Sequence, residues 1–81
     1  MAINKRVYEA VKSGRSDHSI RFNDFTKLIV DLGFNLVGQE GSHRNYRHDG
    51  LRIKISVQPD GNMAKAYQVR QLRNIIIKHN L

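Results

Sequence analysis

The chain has 81 residues, room for one small hydrophobic core and therefore for a single domain, 1–81. It has no cysteine, which excludes disulfides and thiolate metal sites and suits a reducing compartment. Its net charge is +7, unevenly placed: residues 1–40 carry six Lys/Arg against five Asp/Glu, residues 41–81 eight against two.

A basic half points to a polyanion, because lysine and arginine near phosphates release condensed counterions and gain salt-dependent affinity. Solubility alone is the other reading of that charge. No stretch approaches the ~20 apolar residues of a membrane span, and the opening Met-Ala-Ile-Asn-Lys-Arg lacks the apolar core of a signal peptide. The expectation is a cytoplasmic protein that meets nucleic acid and no membrane.

Taken in chain order, Ile3, Val7, Ala10 and Val11 fall at helical spacing and Gly14 is a stop, so residues 3–13 are predicted as a helix. A polar linker, 14–19, comes next. Asn23 is placed to cap a helix over 24–32, where Phe25, Leu28, Ile29 and Leu32 make one apolar stripe and Gly33 supplies the left-handed close. Residues 34–39 and 43–48 read as strands. Leu51, Ile53, Ile55 and Val57 alternate with Arg52, Lys54 and Ser56, the period of a strand with one buried face. A loop from 58 to about 66, holding Pro59, Asp60 and Gly61, leads to a last helix with Val69, Leu72, Ile75 and Ile76 on its core side. The fold class is α+β, in the order α-α-β-β-β-α, with a three-stranded antiparallel sheet covered by helices on one face.

Asp49-Gly50 favours a two-residue hairpin turn. That loop sets His48, Tyr46 and Arg44 against Leu51, Ile53 and Ile55 on the buried face, and Arg47, Asn45 and His43 against Arg52, Lys54 and Ser56 on the open one. A three-residue loop through Glu40, Gly41 and Ser42 then buries Phe34 and Leu36 and exposes Val37 and Gln39. His43 thus lands on an open, cationic surface. An imidazole titrates near neutrality and can move a proton in phosphodiester cleavage, while lysine and arginine stabilise charge on the phosphorus oxygens. RNA suits one histidine among cations, because its own 2′-hydroxyl can be the nucleophile. Pattern alone also allows His43 to be an ordinary polar strand residue. Tyr46 and His48 read as core, and His18 and His79 have no evident partners. His43 and His48 point to opposite faces, so no metal site is expected. Arg70 and Arg73 either touch phosphate or form a solvated helix face.

Gly41-Ser42-His43-Arg44-Asn45-Tyr46 resembles the Gly-Ser-His-His-x-Phe/Tyr signature of HicA toxins. Leu32-Gly33-Phe34 before it, and Gln58-Pro59-Asp60-Gly61 with Ala64-Lys65-Ala66-Tyr67-Gln68-Val69-Arg70-Gln71 after it, extend the likeness across 20–81, leaving 1–19 as an N-terminal helix and linker. The resemblance implies a double-stranded-RNA-binding-domain-like fold with the first helix an addition. It implies the toxin of a toxin–antitoxin pair, an endoribonuclease (mRNA interferase) needing neither metal nor cofactor, with His43 catalytic. A HicB-like antitoxin is expected to cover the His43 face. Arg44 replaces the family's second histidine, so the helpers must come from elsewhere: Ser42, Lys54, Ser56 and Lys65 are candidates. RNA contacts are expected from Arg44, Arg47, Arg52, Lys54, Arg70 and Arg73. The competing readings are a non-catalytic RNA-binding module of the same fold and a basic interaction domain for an acidic partner.

Overall fold

The computed structural model describes residues 4–81, so Ile3, expected in the first helix, lies outside them. Helix α1 (Lys5–Ser13) opens on Asn4, whose Oδ1 accepts the backbone N–H groups of Arg6 at 3.1 Å and Val7 at 3.4 Å, a cap worth about 1 kcal/mol. It closes at Gly14 with φ 75°. Residues 14–19 are fastened down: the Asp17 carboxylate accepts two hydrogen bonds from Arg73, at 2.9 and 3.2 Å.

Helix α2 (Phe22–Asp31) starts ahead of the predicted position, and Asn23 is not its cap. The start is set by backbone. The Phe22 N–H donates to the Asn62 carbonyl at 2.9 Å, and the Ala64 N–H donates to the Ile20 carbonyl at 2.8 Å. One of the helix's otherwise unpaired N–H groups is thereby satisfied without a capping side chain. The end is as expected: Gly33, at φ 105°, lets its N–H reach the Val30 carbonyl and that of Phe34 reach the Ile29 carbonyl.

Strands β1 (Asn35–Glu40), β2 (His43–His48) and β3 (Ile53–Val57) form an antiparallel sheet in the order β1-β2-β3. The β2–β3 register differs from the expected one by two positions: Tyr46 faces Ile55, Arg47 faces Lys54 and Asn45 faces Ser56. The connection is four residues, Asp49 to Arg52, with Arg52 in the left-handed region at φ 56°. His48 holds it, accepting the Leu51 N–H on Nδ1 at 3.1 Å. Because side chains alternate with period two, this shift changes each residue's opposite number and leaves its face unchanged.

The β1–β2 loop is also shorter than expected, the two residues Gly41 and Ser42. A bulge between Leu36 and Gly38 takes up the difference. Phe34 stays buried as predicted, but Leu36, expected to be buried with it, is 49% exposed; Gln39, expected on the open face, stands opposite Arg44 on the helix side, and Glu40 stands opposite His43. The predicted loop after β3 contains a small hairpin, β4 (Pro59–Asp60) with β5 (Met63–Ala64), before helix α3 (Ala66–His79).

One cluster of buried side chains joins all these parts. Tyr46, Ile55 and Val57 from the sheet meet Val11 of α1, Phe25, Leu28 and Ile29 of α2, and Val69, Leu72 and Ile76 of α3. His48 completes this side, edge-on to Phe34 with ring centroids 5.1 Å apart. The helices cover one face of the sheet and leave the other to solvent.

Candidate active site

The open face is built by β2's odd-numbered residues and their partners. Gly41 carries positive φ, 57°, at the first central position of the turn into β2, where a tight hairpin turn reserves a place for glycine. A side chain there would force a different turn, so the Gly-Ser pair fixes where β2 begins. His43 is the first residue of that strand, exposed, on the side away from the helices. Ser42 is exposed beside it. Glu40 is the cross-strand partner of His43. Such partners have Cβ atoms about 4.5–5.5 Å apart, within reach of a carboxylate and an imidazole.

Beyond His43 the face runs to Asn45 and then Arg47. Asn45 accepts the Ser56 hydroxyl on Oδ1 at 2.5 Å. Ser56, expected opposite His43, is therefore one position along and its proton is directed to Asn45. Lys54, also expected near the histidine, faces Arg47. At about 3.3 Å per residue the Arg47–Lys54 pair lies roughly 13 Å along the strand from His43. Arg47 forms an exposed ion pair with Asp49 at 2.7 Å, and Arg52 is exposed in the adjoining turn. The cations are therefore concentrated at one end of the face, and His43, with Glu40 as its cross-strand neighbour, stands at the other.

The remaining expected contacts divide. Arg44 is half-buried on the helix side, its guanidinium 5.3 Å from the Phe22 ring centroid. Arg73 is engaged within the fold, donating to Asp17 and to the Val11 carbonyl, so its expected phosphate contact gives way to a structural one. Arg70 is exposed on α3, and Lys65 stands at that helix's N-cap position. Neither belongs to the sheet ladder that carries His43. Glu40 is the neighbour of His43 that sequence reasoning did not place there. The preference of a two-residue turn for glycine at its first position would have set 40 against 43.

Over residues 22–79 the sequence matches the family model for the HicA toxin of bacterial toxin-antitoxin systems. The chain belongs to the HicA toxin family. Comparison with curated proteins and with solved structures returns no match. The HicA match begins at the first residue of α2 and leaves α1 and its linker outside. This HicA chain is thus the toxin of a toxin–antitoxin pair. Among its described residues no helix is long and apolar enough to cross a membrane, and no group of three or more His, Cys, Asp or Glu is placed to hold a metal ion.

Proposed function

We propose that this HicA toxin is an endoribonuclease that cleaves mRNA in the cytoplasm, with His43 moving the proton and 1–81 acting as one domain. The observation that carries the reading is the placement of His43: an exposed imidazole at the head of β2, with a carboxylate opposite and cations further along the same face. In the reaction the 2′-hydroxyl oxygen attacks the adjacent phosphorus and loses its proton, while the bond to the 5′-oxygen breaks and that oxygen gains one. The two proton transfers are divided between two groups. His43 serves one, and Glu40 takes the place of the absent second histidine for the other. Arg47, Lys54 and Arg52 hold the neighbouring phosphates.

A HicB-like antitoxin on the open face would silence the enzyme by excluding RNA and neutralising these charges. The test is cleavage of single-stranded RNA by purified protein, with and without a metal chelator, against His43→Ala. Loss of roughly 10²- to 10⁴-fold in kcat for the variant, with no effect of the chelator, is expected. Equal cutting by both proteins removes His43 from the chemistry. RNA binding by the parent without cutting would favour a non-catalytic module.

A further inference from the structure

We propose that Tyr67 is a stacking platform for an RNA base next to the bond being cut. The inference rests on the ribonuclease reading and adds a substrate-binding residue outside the sheet face. The β2–β3 ladder ends at the Arg44–Val57 pair, and Gln58 follows Val57 just as His43 precedes Arg44. The backbone N–H of Gln58 donates to Oε1 of Gln68 at 3.2 Å, and Nε2 of Gln68 donates to the Tyr67 hydroxyl at 3.3 Å. Gln68 is 4% exposed, whereas Tyr67 is 56% exposed.

A buried amide thus ties an exposed aromatic ring to the backbone just past the end of the ladder that carries His43. The tie is informative because an aromatic side chain on the first turn of a surface helix is ordinarily free to change rotamer. Here the hydroxyl end is held and more than half of the residue's surface remains in water. Lys65 lies at the N-cap of the same helix, and Arg70 comes three residues after Tyr67, which makes it a neighbour on the helix surface. An oriented ring on a helix turn that also carries cations is an arrangement that holds single-stranded nucleic acid, the ring taking a base and the cations the backbone.

The test uses the His43→Ala protein, so that RNA is bound and not cut. Adding Tyr67→Ala weakens binding of a fluorescein-labelled single-stranded oligoribonucleotide by roughly 5- to 100-fold, while Tyr67→Phe, which keeps the ring, stays within about threefold. Tyr67→Trp gives a chain that has no tryptophan its one indole, and saturating RNA quenches that emission. In the cutting protein Tyr67→Ala raises KM by the same factor and leaves kcat nearly unchanged, because stacking holds substrate and transition state alike. Unaltered RNA binding by Tyr67→Ala, or tryptophan emission indifferent to RNA, overturns the proposal. So does weakened antitoxin binding with RNA binding intact, which would make the ring a partner contact. Should the parent cut RNA while Tyr67→Ala cuts with the same KM, only the platform fails. Should the parent neither bind nor cut RNA, the ribonuclease reading fails with it. Where Tyr67→Ala does not fold, the Phe and Trp variants decide.

Discussion

Glu40 and His43 face each other across the β1–β2 ladder, one on each side of the Gly41–Ser42 turn. A carboxylate beside a nucleic-acid site should weaken RNA binding through its charge. If Glu40 were only a surface residue, Glu40→Gln would therefore improve kcat/KM by a small factor. A second proton-transfer group predicts the reverse. Glu40→Gln is expected to lower kcat by about 10- to 100-fold with KM unchanged or lower, and Glu40→Asp to retain part of the rate. Steady-state cleavage kinetics distinguish the two signs.

Arg44 occupies the position where the commoner family pattern has a second histidine, but parity puts that position on the helix side, opposite Val57 and Gln39. Arg44→His should not add an imidazole beside His43. Activity is expected to stay within about threefold of the parent, and the His43→Ala, Arg44→His double variant to remain inactive. The cost falls on stability, about 1 kcal/mol, from loss of the guanidinium over Phe22 and of its packed stem. A rise in cleavage of about tenfold or more would mean that both side chains reach substrate.

Arg73 illustrates a cation that the charge count misplaces. With its side chain 18% exposed and that of Asp17 11%, the pair is largely shielded from water, and the same guanidinium donates to the Val11 carbonyl at 3.2 Å. Removing one partner leaves the other charge unpaired in a poor solvent. Arg73→Ala should destabilise the fold by about 3 kcal/mol, which in so small a domain corresponds to a fall in Tm of roughly 12–24 °C. Thermal unfolding followed by circular dichroism measures it. RNA affinity of the folded fraction should not change, in contrast to the open-face cations.

The faces of the sheet were legible in the sequence because a face depends only on parity. The alternation from Leu51 to Val57 announced it for β2 and β3, where the miscounted hairpin left it intact, whereas in β1 the shorter turn moved Gln39 to the helix side. The hairpin moved by two positions, and the bulge near Val37 offset the shorter Gly41–Ser42 turn. What stands across from a residue depends on register itself, which is why Ser56 was expected beside His43 and is found beside Asn45. The β4–β5 hairpin escaped notice because it has two residues per strand and no hydrophobic period to detect. The Arg73–Asp17 pair, 56 residues apart in sequence, carries no local signal at all. The start of α2 was misplaced for a related reason: its first N–H is satisfied by the Asn62 carbonyl, a contact that only the folded chain creates.

Arg47 and Lys54 are direct cross-strand partners on the open face, two positive charges set side by side. Like charges opposite one another cost a few tenths of a kcal/mol to about 1 kcal/mol, and the exposed Arg47–Asp49 pair offsets only part of that. The arrangement is unfavourable to the empty fold and favourable to an anion seated between the two cations. Lys54→Glu should therefore stabilise the free protein slightly, by about 0.5 kcal/mol, while weakening RNA binding and flattening its dependence on salt. Lys54→Ala removes one phosphate contact, and the slope of log K against log salt should fall in magnitude by about 0.7 for single-stranded RNA. Arg73→Ala should leave that slope where it is. Titrations at several salt concentrations, paired with thermal melts of the same variants, read both effects. If Lys54→Glu lost stability and kept the parent's slope, the phosphate seat would have to lie on another surface.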